Sequence, residues 1–311
     1  MMIDALLAAA WDKESFHTIC VIILAITLTW ACYHGRPGFF RKENSAPASP
    51  PTQRLWTRHE IAANFAPSSW QRQAFDAFGA RMMLRDPQIF PCIYATKGFK
   101  ASEHRYCFVD IPEPEPEPGR AVPAAVLDAL AAAFGEYARS WRRCGPMTSL
   151  VVLTPPPATS GGDGGVQPSL EDDRRLFWEL LRGMGDRDPQ GWPARVPQDV
   201  ASPAWTLAFG GERFVGLAMT PRYRRRLSRF CDGTVLAFQP IDIFQDLLGT
   251  PEKFASAVGK VRSLTDSLDQ LPYSQDVIAV GDGRQSVSTM FFLSDDEKSW
   301  GSPYSKIRTV S

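Results

Sequence analysis

From residue 68 onward, apolar runs of strand length alternate with amphipathic segments of helix length. That alternation constrains the chain more than any other feature. Each strand run needs a helix face to cover it, and each helix needs a sheet to bury against. Ser68 or Ser69 caps a helix reaching about residue 85, with Trp70, Phe75, Phe78 and Met82 near one face. The runs 89–95 and 105–111 read as strands. Pro123 opens an alanine-rich helix to about residue 143, and 149–154 is a short apolar strand. Ser169 caps a helix through about residue 184, with Asp172 in the capping-box position. The runs 205–209 and 213–219, joined by Gly210-Gly211-Glu212, read as a hairpin. Further strands are predicted over 234–239 and 286–294, and Thr250-Pro251 starts a helix to about residue 271. The pattern predicts an α/β or α+β fold: a mixed sheet with flanking helices in a single globular domain.

Ahead of that domain, residues 18–33 carry no charge. As a helix rising about 1.5 Å per residue they span roughly 24 Å, slightly short of a ~30 Å hydrocarbon core. Phe16, His17 and Gly35 can lengthen the span, and Trp30 and Tyr33 suit an interface. Asp4, Asp12 and Glu14 precede it where a secretory signal peptide would be basic. Arg36, Arg41 and Lys42 follow it against Lys13 before it, an asymmetry that places the C-terminal bulk in the cytosol. The expectation is a single-pass membrane protein. It has a short N-terminal segment over 1–17, an anchor over 18–34, a flexible Pro/Ser/Ala-rich linker over 35–55 and a globular domain over 56–311. The alternating Glu-Pro stretch over 113–118 and the Gly-rich stretch over 155–168 read as exposed connections.

Lys and Arg together number 34, and so do Asp and Glu, which argues against a dedicated nucleic-acid binder. The six cysteines, Cys20, Cys32, Cys92, Cys107, Cys144 and Cys231, include no C-x-x-C pair, so neither a zinc nor a thioredoxin signature is present. Gly281-Asp282-Gly283 lacks the Gly-Lys-Ser/Thr tail of a phosphate loop, and Ser228 lacks a G-x-S-x-G context.

Charge is concentrated in one place. Arg222, Arg224, Arg225, Arg226 and Arg229 fall within eight residues, between apolar runs that hold them against a core. Arginine presents a planar fork that matches carboxylate and phosphate edges, so the cluster suits an anionic group. A solvated face paired with the protein's own acids explains the pattern equally well. Among possible ligands or acid–base groups, His104 lies between two strand runs and Cys92 follows Pro91 in an apolar stretch. For each the plainer reading, a turn histidine and a small core residue, carries more weight. Trp192 can stack on a flat cofactor or simply pack.

Several short blocks occur in a fixed order. They are Phe90-Pro91-Cys92 with Ala95 and Lys97, 150–153, Phe177-Trp178 with Leu180-Leu181, and Asp188 with Trp192-Pro193. Next come Gly210 or Gly211 with Phe214-Val215, Thr220-Pro221 with 226–229, Phe238-Gln239-Pro240 with Phe244, and Gly281-Asp282 leading to Phe292-Leu293 and Asp295-Asp296. Their order over roughly 66–296 resembles the YqcI/YcgG family. The resemblance implies a haem-dependent N-oxygenase acting on a small amino-acid-like substrate, with a guanidino-bearing one as a candidate. The cofactor would activate oxygen, and the protein would supply an axial ligand, orientation and a pocket. It also implies that Arg222, Arg226 and Arg229 meet haem propionates, and that Asp186 or Asp188 pairs with a guanidinium. A separate redox partner would be required, since no flavin or nicotinamide fingerprint is present. The family pattern places a histidine where this chain has Gly185, and another where it has Tyr223. Axial ligation would then fall to Tyr223 as a phenolate, to His104 or to Cys92. The alternative is a divergent member that has lost haem chemistry and acts as a binding or interaction module.

Overall fold

A computed structural model describes residues 54–114, 121–157, 167–278 and 283–308. They lie in a compact unit, Thr52–Ser311. Its helices are α1 (Arg58–Asn64), α2 (Trp70–Met82), α3 (Ile93–Lys100), α4 (Ala124–Ser140), α5 (Leu170–Gly185), α6 (Ile241–Leu247) and α7 (Pro251–Leu268). Its strands are β1 (Arg105–Phe108), β2 (Leu150–Leu153), β3 (Leu207–Phe209), β4 (Glu212–Met219) and β5 (Val235–Pro240). They form a mixed sheet in the order β1-β2-β5-β4-β3. The β1–β2 pair is parallel and the other pairs are antiparallel.

The period-two side-chain alternation of the strands builds a core on each face. Leu150, Val152, Leu236 and Phe238 lie in the core covered by α4 and α5, while Val151, Leu153 and Val235 lie in the core covered by α2 and α3. At the centre of the first core, the Phe134 ring of α4 meets Phe238 at 4.7 Å, Phe214 at 5.2 Å and Phe209 at 5.5 Å between centroids. On the other side, Phe75 and Phe78 of α2 pack edge-on against Tyr106. Local signals set the element ends. The Ser69 side chain caps α2, and Ser169 with Asp172 forms a reciprocal capping box on α5. The β3–β4 turn rests on Gly210 and Gly211, both at positive φ (58° and 77°).

Two expected strands are absent. The apolar run over 89–95 leads into α3, whose first turn is capped by the Cys92 sulfur accepting the Ala95 N–H. A short apolar run fits either a strand or the start of a buried helix, and here packing against α2 decides. The stretch over 286–294 holds a 3-10 turn, Val287–Met290, started by Ser286. The short helices α1 and α6 are additional to the sequence reading.

The membrane element of the expected fold, and the single-pass membrane location with it, are corrected. No helix among the described residues is long and apolar enough to cross a membrane. The longest, α7 at 18 residues, carries Glu252, Lys253, Lys260, Arg262 and Asp266. The segment over 18–34 and the linker up to residue 53 lie outside the described residues, as do residues 115–120, 158–166 and 279–282.

Truncating Phe134 to alanine removes the contact shared by α4 and three strands. It is expected to cost about 3–5 kcal/mol, read as a lowered denaturation midpoint at unchanged m-value.

Candidate functional site

Between the sheet and the α2–α3 layer lies a cavity of about 140 Å³. Its floor includes Val151 of β2, Leu217 of β4 and Ala237 of β5, and its roof includes Phe78, Met82 and Phe90. Five polar or reactive residues line it from separate parts of the chain: Cys92 from the start of α3, His104 before β1, Ser149 before β2, Arg229 after β4, and Gln239 on β5. Three of these, Cys92, His104 and Arg229, are among the residues singled out from sequence. Gln239 was not selected, although its signal was present: one amide in the otherwise apolar run 235–240, at an odd position facing away from Phe238.

His104 is held on both ring nitrogens. Nε2 donates to the Ala95 carbonyl at 2.8 Å, and Nδ1 accepts the Ser149 N–H at 3.1 Å. This pairing fixes the neutral Nε2–H tautomer. Burial pushes its pKa down to about 4. Gly98 permits the close approach: a Cβ there would collide with the Met147 carbonyl and the His104 ring. Burial also raises the Cys92 thiol above its ordinary value, which keeps it protonated.

The arginine cluster is largely absorbed by the fold. Arg222 donates to Asp173 and Glu113, each at 2.7 Å, and to the Pro168 carbonyl at 2.8 Å. Arg226 is buried and donates to the carbonyls of Ser294, Asp296 and Pro272. The Asp295 carboxylate accepts the backbone N–H groups of Arg224, Arg225 and Arg226. Arg229 donates Nη2–H to the Met290 carbonyl at 2.9 Å, while its Nη1 is buried without a hydrogen-bond partner.

The remaining candidates sit elsewhere. Tyr223 is fully buried in the α4–α5 core and donates its hydroxyl to the Leu293 carbonyl at 2.7 Å. Burial raises its pKa strongly, so a phenolate there is disfavoured. Asp188 is not among the residues lining the cavity, and its two oxygens accept the Gln190 and Gly210 N–H groups, each at 3.0 Å. Asp186 caps the end of α5. Trp192 packs against the α4–α5 core and donates to the Val196 carbonyl at 2.7 Å. A Cβ at Gly185 would face Arg308 and Ile307, which do not line the cavity.

A haem does not fit this cavity as it stands. An apolar space of about 150 Å³ holds a benzene-sized guest, and a tetrapyrrole is several times larger. The donor set agrees: both His104 nitrogens are engaged, the Cys92 thiol is held neutral, and Arg222 and Arg226 are committed to other partners.

The sequence profile of the YqcI/YcgG family matches residues 80–305. The chain is 30% identical over 229 residues to the uncharacterized protein YcgG of Bacillus subtilis (strain 168), covering 74% of this chain and 85% of that one. It is 27% identical over 242 residues to the uncharacterized protein YqcI of the same organism, covering 78% and 90%. It is 24% identical over 217 residues to a putative N(omega)-hydroxy-L-arginine synthase, DcsA, of Streptomyces lavendulae, covering 70% and 76%. No solved structure matches.

The neutral His104 makes stability depend on pH with a definite sign. Its folded pKa lies below the unfolded value, so the unfolded chain binds the extra proton between about pH 6.5 and pH 4, and stability falls as pH drops through that window. Up to about 3 kcal/mol is at stake, at 1.36 kcal/mol per pKa unit. In urea titrations the stability gap between the native protein and His104→Gln should narrow on going from about pH 7 to about pH 4. A constant gap would mean that the imidazole is not held neutral.

Proposed function

Because the chain belongs to the YqcI/YcgG family, we propose that it acts on a small, amino-acid-like molecule by oxygen transfer to nitrogen, the class of reaction named for its Streptomyces lavendulae relative. The supporting observation is the interior cavity, lined by apolar walls and a few convergent polar groups, in a chain related to that protein over 217 residues. In such a reaction an N–H becomes N–OH with one atom of dioxygen. The other atom leaves as water, using two electrons and two protons from a separate redox partner. Haem is the oxygen-activating group that the resemblance implies, and the cavity as it stands does not hold it.

This chain's own residues bind and orient. The apolar floor and roof exclude water, the neutral His104 braces the start of α3 against the sheet, and the open Arg229 N–H offers a donor to the ligand. No aspartate or glutamate is among the described residues lining the cavity, which favours a substrate held there by its acid end.

A second reading is a binding module that has lost the redox chemistry. The occupied nitrogens of His104 and the glycine at position 185 favour it.

The two readings separate in one experiment on the full chain. Under the oxygenase reading with haem, titration with haemin, followed by reduction and carbon monoxide, gives a sharp Soret band that shifts. Incubation with L-arginine, dioxygen and a reductant should yield an N-hydroxylated product by mass spectrometry. Folded protein that leaves the spectrum of free haemin and forms no product would sink the oxygenase reading and leave the binding module.

A further inference from the structure

Two residues that line the cavity each carry one buried donor nitrogen without an acceptor. Arg229 and Gln239 are each only 8% exposed, and Arg229 Nη1 and Gln239 Nε2 lack hydrogen-bond partners. Most buried polar groups are paired, and a buried charge left without a counter-ion is costly. Asp269 acts on this charge through space but accepts no hydrogen bond from it: its carboxylate accepts the Ser228 N–H at 2.6 Å and the Ser228 hydroxyl at 2.9 Å. Both residues line the same apolar cavity, so an acceptor that arrives there from outside can complete the two buried donors.

We propose that Arg229 and Gln239 anchor the carboxylate of a small ligand whose apolar body lies against Val151, Leu217 and Phe78. A guanidinium edge and an amide N–H match the oxygens of a planar carboxylate. The walls offer no compensation to a fully hydrated anion, so the ligand carries an apolar part. The volume of about 140 Å³ limits that part to roughly the size of a benzene ring. The proposal names the held end of the substrate and rests on this cavity being its site. Binding is read without turnover, so the anchor and the oxygenase reading fail separately.

Isothermal titration of the full chain with benzoate, benzyl alcohol and inorganic phosphate tests it. Benzoate should bind at least about tenfold tighter than benzyl alcohol, with phosphate weaker than benzoate. Arg229→Met should lower benzoate affinity about ten- to a hundredfold and leave benzyl alcohol within about threefold. Gln239→Leu should lower it about three- to tenfold. Equal affinity for the acid and the alcohol, phosphate binding as tight as benzoate, or unchanged benzoate binding in Arg229→Met would each overturn the anchor. If Arg229→Met does not fold, the ligand comparison on the native protein and the Gln239→Leu variant decide. Benzoate binding without N-hydroxylated product leaves the anchor and removes the oxygenase reading. Product formation unaffected by Arg229→Met does the reverse.

Discussion

Leu150, Val152, Leu236 and Phe238 point to one side of the sheet, and Val151, Leu153 and Val235 point to the other, so both faces of the central strands must be covered. Two helical layers follow from that requirement, and they are filled differently. The α4–α5 side is packed with interlocking aromatics such as Phe134, Phe214 and Phe238. The α2–α3 side is packed at its edges by Phe75, Phe78 and Tyr106 but keeps a cavity over the middle strands. The cavity has its place because α3 begins late, at Ile93, and the segment before it contributes Phe90 and Cys92 to the roof.

The polar groups divide along the same line. Tyr223 and Asp188 are satisfied by backbone, Arg226 by three carbonyls, and Arg222 by the Asp173 and Glu113 carboxylates with the Pro168 carbonyl, and their work is structural. On the α2–α3 side His104 is fully satisfied, whereas Arg229 and Gln239 retain open donors. Buried donors without acceptors are what a fold retains where a ligand completes them. Unpaired indole N–H groups also occur in the α4–α5 core, at Trp141, Trp178 and Trp205, so what sets Arg229 and Gln239 apart is that both line one cavity.

Much of this architecture was legible in the sequence, because its causes are local. Ser169 and Asp172 write a capping box, Pro123 precedes a helix, and two glycines permit a turn that other residues resist. The paired hydrophobic runs gave the mixed sheet. The run over 89–95 misled because a short apolar stretch has no period of its own, and only its contacts with α2 make it the start of a helix. At the site, the arginine cluster marked the right region without saying which member mattered: adjacent arginines differ only in the partners the fold supplies.

What the amino-acid order determined by itself was therefore the set of elements, their apolar faces and the family to which the chain belongs. What only the tertiary structure decided was which side chains share a cavity and which of them remain unpaired. Cys92, His104, Arg229 and Gln239 meet because three connections and a central strand converge on one face of the sheet. Tyr223, six residues before Arg229, lies in the core on the other side. Hydrogen-bond satisfaction depends on neighbours brought from far along the chain, and no local pattern of residues encodes it.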